Sequence, residues 1–277
     1  MTNLSAWRDP ALLTRKVIGK IRRRLTGIPH RPVIQTMNGG LRFEHAWLPF
    51  LDEDDFRAML TKSYDIILCD YLKRTIKPGD IVLDAGANVG YISAVAASLA
   101  GESGEVHGFE PLPECFARLE RLRELNPGYR LFFNNVALGS QNGTLPIAYD
   151  PNGDSRNATL VPGKRAAVTR EVPVRRLDEY IGAAVSSPER IKVIKIDVEG
   201  FEYSVLRGLE KFLSGTSCRP SIVCEIKPWD LGTLGVTADE FDSYTSGFGY
   251  RAYPIARPRL PVKVASLRDM EVLVFRV

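Results

Sequence analysis

A chain of 277 residues, 44% hydrophobic and 25% charged, has the composition of a folded globular protein long enough to bury a core without covalent staples. Its net charge of +4 is uneven: residues 1–31 carry eight Lys/Arg against Asp9 alone, so +7 sits at one end and −3 on the rest. That distribution argues against nucleic acid as the partner of a site in the body of the chain. The four cysteines (Cys69, Cys115, Cys218, Cys224) have no metal-type spacing, no run of 18 apolar residues occurs and no apolar leader opens the chain, so a cytoplasmic protein without a membrane span is expected.

Residues 10–25 (PALLTRKVIGKIRRRL) read as a basic amphipathic helix, with Leu13, Val17, Ile21 and Leu25 four apart on one face. The expectation is that this stripe packs on the domain; weak attachment to an anionic membrane surface or a partner is the alternative. Residues 32–50 predict a hairpin turning at Asn38-Gly39-Gly40. From Asp52 to Ile76 the pattern predicts one helix, acidic at its start and broken by Lys77-Pro78-Gly79. After Asp80 strands alternate with helices. Strands are expected at 81–86, 105–110, 131–138, 191–197 and 220–226, each apolar and rich in β-branched or aromatic residues. Helices are expected at YISAVAASLA, PECFARLERLREL and YSVLRGLEKFL. This order gives a parallel sheet with right-handed crossovers. The strands at 249–256 and 270–277 are joined by a loop too short and proline-rich for a crossover helix, so the last strand should run antiparallel. Residues 1–61 form an N-terminal unit in this reading and 62–277 the main domain, with 139–190 as an insertion-like segment.

Three clusters carry chemistry. Asp84-Ala85-Gly86-Ala87-Asn88-Val89-Gly90 joins a strand to a helix, where open parallel sheets bind ligands. Gly86 and Gly90 would leave room for a ligand at the backbone, the helix amides would face it, and Asp84 offers a carboxylate for an ammonium or hydroxyl. The glycine pattern lacks both the dinucleotide fingerprint and the phosphate loop, which leaves a nucleoside carrying an amino acid, or a plain packing turn. Glu110 ends the next strand 24 residues after Gly86, where an acid grips ribose hydroxyls or stands as a helix N-cap neighbour favoured by the dipole. Asn135 follows the third strand and reads either as an adenine neighbour or as a turn asparagine. Most distinctive is Lys195-Ile196-Asp197-Val198-Glu199-Gly200-Phe201-Glu202, which gathers three acids at the end of the fourth strand. Asp197 and Glu199 share a side in extended geometry, and Glu202 starts a helix. Such acids need a cation, a proton or a substrate partner, or they form a plain helix-start cluster with Lys195 as counter-ion. Glu225, before Lys227-Pro228-Trp229, points to the same rim.

The run KPGDIVLDAGANVGYIS, then FEP, NVALG, LDEYI and KIDVEGFEYSVLRGLEKFL, resembles the FkbM family of methyltransferases over roughly residues 62–227. The resemblance implies a doubly wound, seven-stranded Rossmann-like α/β sheet, mostly parallel with an antiparallel last strand. It implies S-adenosylmethionine as cofactor, bound by Asp84, Gly86, Asn88 and Glu110, with Asn135 near the adenine. Gly90 joins that set from the reading of the glycine turn. The activity it implies is O-methylation of a sugar, glycan or secondary-metabolite hydroxyl.

An alcohol must lose its proton on methylation. His107 falls inside a predicted buried strand, and His30 and His45 precede the sheet, so a carboxylate base is expected: Asp197 first, Glu199 second. A divalent metal held by those two acids is the alternative, with no metal as the primary reading. Ser155, Arg156 and Asn157 lie in a polar loop suited to a polyhydroxylated acceptor or simply to water. A nicotinamide dehydrogenase lacks its glycines here. A non-catalytic cofactor-binding or scaffold protein, and a protein or RNA acceptor, stay open.

Overall fold

The computed structural model describes residues 10–151, 158–163, 168–215 and 218–277; Ser155, Arg156 and Asn157 lie outside the described residues. The chain runs α1 (Pro10–Leu25), β1 (Val33–Thr36), β2 (Arg42–His45), α2 (Glu53–Leu60), α3 (Ile66–Thr75), β3 (Ile81–Ala85), α4 (Tyr91–Ala100), β4 (Glu105–Phe109), α5 (Pro113–Leu125) and β5 (Arg130–Asn134). It continues through β6 (Ala137–Leu138), β7 (Gly143–Tyr149), β8 (Val168–Arg175), α6 (Leu177–Ala184), β9 (Ile191–Ile196), α7 (Glu202–Arg207), α8 (Glu210–Gly215), β10 (Ser221–Ile226), α9 (Pro228–Thr233), α10 (Ala238–Gly247), β11 (Arg251–Pro254) and β12 (Glu271–Arg276).

Seven strands form one sheet in the order β11-β12-β10-β9-β3-β4-β5. β3, β4, β5, β9 and β10 are parallel, and β12 enters antiparallel between β10 and β11. The strand pleat explains the two cores. Val82, Val106, Leu131, Val193 and Val223 face one side with α3, α4 and α5. Ile81, Leu83, Ile194, Ile196 and Ile222 face the other with α6, α7, α8 and α10. A parallel sheet covered on both faces is why these strands read as continuous apolar runs. The expected doubly wound sheet and its antiparallel last strand are therefore present.

Several expected elements divide. The stretch 131–138 is not one strand. The Asn135 carboxamide donates to the Glu110 and Pro111 carbonyls (2.8 and 3.1 Å), and the chain turns there. Ala137–Leu138 then pairs with β8 in a separate three-stranded sheet, β6-β8-β7, that rises over the strand ends. The helix expected over 52–76 breaks into α2 and α3. The Ser63 and Tyr64 amides both return to the Ala58 carbonyl, Lys62 and Asp65 take left-handed φ of 55° and 33°, and Asp65 caps α3 at the Leu68 amide. YSVLRGLEKFL likewise splits at Gly208 into α7 and α8.

α1 forms with the predicted bounds but does not pack as expected. Its inward side is Gly19, set against Ser63, with Arg15 paired to Asp70 and Arg23 donating to Ser63 Oγ (3.2 Å). Val17, Ile21 and Leu25 face out. The room at Gly19 decides this: it is the position that brings the helix close to the turn between α2 and α3.

Candidate active site

A cavity of about 400 Å³ opens at the C-terminal ends of β3, β4, β9 and β10. The strand order reverses between β3 and β9, the place where open α/β sheets bind ligands. The volume lies in the range of small-molecule sites.

The floor is the glycine turn. Lys195 is opposite Asp84 in the parallel register of β9 and β3, and its ammonium lies 3.1 Å from Asp84 Oδ1. The same ammonium donates to the Gly86 carbonyl (2.8 Å) and lies 3.5 Å from Asp197. Asp84 Oδ2 accepts from Ser93 Oγ at 2.6 Å. Burial alone would lower the Lys195 pKa, but Asp84 and Asp197 hold it charged and push it up. Asp84 therefore supports the turn from beneath and does not line the cavity. Gly86 sits at φ 79°, and a Cβ there would overlap the Asp197 carbonyl oxygen. The glycine thus lets β3 and the Asp197 loop touch, while its own backbone stays in the cavity lining. Gly90 packs under Leu119 and is not in the lining.

The turn amides are committed too. Those of Gly86 and Ala87 donate to the Phe109 carbonyl, that of Gly90 to Ala87, and that of Asn88 to Glu110 Oε2 (2.8 Å). Those four amides are therefore taken within the protein, whereas the first amides of α4, from Tyr91 and Ile92, remain at the cavity wall. Glu110 accepts a second amide, from Leu112 (2.9 Å), through Oε1. Burial raises its pKa to about 7 against those two amides. Glu110, Asn88 and Gly86 all line the cavity. Asn135 stands one step back, bracing the backbone of Glu110.

The acidic turn after β9 supplies the opposite wall. Glu199 takes a left-handed φ of 57° and Gly200 follows at 101°. Glu202 Oε1 accepts from the Val198 and Gly200 amides (3.1 and 2.9 Å), so the third acid ties the turn rather than facing the cavity. The left-handed turn, and not extended alternation, therefore turns Glu199 toward Asp197. Thr159 Oγ1 donates to the Glu199 carbonyl at 2.6 Å from the segment between β7 and β8. Carboxylate oxygens of Asp197, Glu199 and Glu225 lie within 4.8 Å of one another, a set that could hold a metal ion. Lys227 meets two of them: it pairs with Glu199 and lies 3.4 Å from Glu225. Burial, and then Asp197, raise Glu225 to about 8 against the pull of Lys227.

Lys227 was not anticipated as a working member, nor were Tyr64, Asp65, Asp52 and Asp55, which also line the cavity; Lys195, expected only as a counter-ion of the acids, also holds Asp84. The signal for Asp65 was a capping acid inside an apparent helix. The lining carries seven acids and two lysines, a field that favours a cationic ligand.

Residues 84–252 match the methyltransferase FkbM domain, well over half of the chain. The methyltransferase sdnD of Sordaria araneosa is 31% identical over 160 residues, 47% of this chain and 60% of that protein. The hexuronic acid methyltransferase AglP of Haloferax volcanii is 28% identical over 139 residues, 50% of this chain and 53% of that protein. The match thus spans only a little over half the length of these curated relatives. A solved structure, methyltransferase FkbM from Methylobacillus flagellatus, superposes with a TM-score of 0.45 at 15% identity, over 82% of this chain and 56% of that one. With its glycine turn, its strand-end acid and its DVEGFE turn around one cavity, the chain belongs to the FkbM methyltransferase family.

Proposed function

We propose that this protein is a cytoplasmic S-adenosylmethionine-dependent O-methyltransferase acting on a hydroxyl of a sugar, glycan or secondary metabolite. The observation that carries the reading is the group Asp197, Glu199 and Glu225 with Lys227, on the wall of an acidic cavity at the switch point of the sheet. A cofactor bearing a sulfonium and an ammonium suits seven lining acids. The relative named a hexuronic acid methyltransferase supports a carbohydrate acceptor. Cys69 and Cys224 are buried, unbridged thiols, the state that a reducing compartment maintains.

S-adenosylmethionine supplies an electrophilic methyl group, so the protein's task is placement and proton transfer. Gly86, Asn88 and Glu110 would hold the cofactor, with Asp84, Gly90 and Asn135 fixing their backbone. Holding an acceptor oxygen in line contributes up to roughly 7–11 kcal/mol. Asp197 takes the hydroxyl proton. Glu199, fixed by Lys227, accepts a hydrogen bond from the acceptor. Glu225 keeps its proton at neutral pH and shares it with Asp197, so the pair presents one net charge. Lys227 already supplies the positive charge that an ion between Glu199 and Glu225 would bring, which favours the metal-free route.

The test is calorimetric titration with S-adenosylhomocysteine, followed by turnover on a panel of sugars and glycosides. Wild type is expected to bind in the micromolar range, Glu110→Ala about 10- to 100-fold more weakly from loss of charged hydrogen bonding. Asp197→Asn is expected to bind normally and lose turnover by on the order of 10²–10⁴. A well-folded wild type that does not bind removes the enzyme reading.

A further inference from the structure

The methyl-transfer site leaves one prominent feature unused: the outer face of α1. Successive residues of a helix advance by about 100°. Gly19, buried against Ser63, and the half-buried Leu12 and Arg23 mark the inward side. Ile21 lies opposite, between Val17 and Leu25, and Ile18 borders the same face; Val17, Ile18, Ile21 and Leu25 are exposed by 50%, 45%, 53% and 81%. Lys20 and Arg24 flank this stripe on one side and Arg22 on the other, all exposed. No acid occurs anywhere in the helix. Four outward aliphatic side chains have no reason to face water, and a basic border without counter-charges repels a basic partner.

We infer that α1 is a docking helix for an anionic lipid surface: it lies in the plane of the headgroups, with Val17, Ile18, Ile21 and Leu25 among the upper acyl chains and Lys20, Arg22 and Arg24 on the lipid phosphates. Charge complementarity and the aliphatic stripe together select this occupant. A nucleic-acid face would present aromatic and basic groups rather than aliphatic ones. The helix is about 24 Å long at 1.5 Å per residue, and no described helix is long and apolar enough to cross a membrane. Its inward side is already anchored through Arg15–Asp70, Arg23–Ser63 and the close approach at Gly19, so docking needs no rearrangement of the body. Ser63 adjoins Tyr64 and Asp65, which line the cavity, so a docked helix holds the cavity mouth near the lipid surface. The inference does not depend on the methyltransferase reading.

Co-sedimentation of the full chain with phosphatidylcholine vesicles, with and without phosphatidylglycerol, tests it. Wild type is expected to pellet only with phosphatidylglycerol, and less so as salt is raised. Each basic residue near an anionic surface contributes about fivefold to partitioning, so Lys20→Gln with Arg24→Gln is expected to weaken binding by on the order of tenfold or more. Val17→Ser, Ile21→Ser and Leu25→Ser together are expected to abolish it. These side chains point outward, and an unchanged urea midpoint verifies that the variants fold. Wild type staying in the supernatant overturns the inference. So does a triple serine variant that binds like wild type, which would mean charge adhesion without insertion. A concentration-dependent dimer that the serine variant abolishes, without vesicle binding, or binding to single-stranded RNA in place of vesicles, also overturns it.

Discussion

The Lys195 ammonium and the Asp84 carboxylate meet at 3.1 Å beneath the glycine turn, with side chains only 7% and 1% exposed. Both charges are out of water, so each depends on the other. Removing one leaves the other buried and unpaired. Lys195→Met is therefore expected to destabilise the fold by about 3–5 kcal/mol, read from urea denaturation. Adding Asp84→Leu should return part of that loss, because an apolar pair of similar volume has no charge to desolvate. A double variant as unstable as the sum of the two singles would contradict the pairing.

Stability should fall from about pH 5 to about pH 8, by linkage of buried acids. Burial raises Glu110 and Glu202 to about 7, and burial with Asp197 raises Glu225 to about 8, from an ordinary 4.5. Between those values the folded chain binds protons that the unfolded chain has released, so raising the pH favours unfolding. Glu202→Gln keeps the acceptor for the Val198 and Gly200 amides and is expected to flatten the profile. His45 acts on the acid side. Burial, with Lys62 and Arg118, lowers it from 6.5 to about 4, and among the described residues neither ring nitrogen has a hydrogen-bond partner. Its neutral form stabilises the fold above 6.5, and that contribution is lost as the pH falls towards 4. His45→Phe should remove this acid-side loss. A melting temperature that climbs steadily from pH 5 to pH 8 would show the acids are not buried as described.

Turnover is expected to survive dialysis against EDTA, because Lys227 occupies the flank of Glu199 and Glu225 where an ion would sit. Lys227→Met is expected to lower turnover by on the order of tenfold or more, because Glu199 loses the cation that fixes it. Full loss in EDTA, restored by magnesium or manganese, would assign the three carboxylates to a metal instead.

Two glycine substitutions should have opposite signs. Gly86→Ala places a Cβ on the Asp197 carbonyl at φ 79°, and is expected to cost about 3 kcal/mol or more from overlap and left-handed strain. Gly182 lies in α6, exposed, with open space at its Cβ. Gly182→Ala is expected to stabilise by about 0.5–1 kcal/mol. Thermal melts of the two variants decide it, and a neutral Gly86→Ala would mean the turn is loosely held.

The strands of the main sheet were legible because burial on both faces writes them as unbroken β-branched runs. Where side chains bond to backbone, that signal is lost. Asn135 ends an apparent strand by donating to two carbonyls, and Asp65 divides an apparent helix by capping a second one. In the site, Asp197 and Glu199 were legible from acid density alone. Lys195 was legible only as a counter-ion of those acids: its pairing with Asp84 exists once β9 lies beside β3 in the register that sets the two opposite. Asp84 was misplaced for the same reason, since a carboxylate before a glycine turn reads as ligand-facing until its buried cation is known. The outward turn of α1 was equally hidden, because a four-residue period marks a stripe without saying which side meets the protein.

The hydrogen bond from Thr159 to the Glu199 carbonyl bears on how acceptor preference can be re-engineered. The segment carrying Thr159 rises over the cavity from the small sheet, and such a hairpin invites exchange with that of a relative to change the acceptor. Because one of its hydroxyls braces the backbone of a left-handed acidic residue, it is not an independent cassette. A chimaera that drops this hydroxyl would confound recognition with a loosened cavity wall. Grafts should therefore retain a serine or threonine at this position, and the hairpin and the turn should be treated as one unit of inheritance.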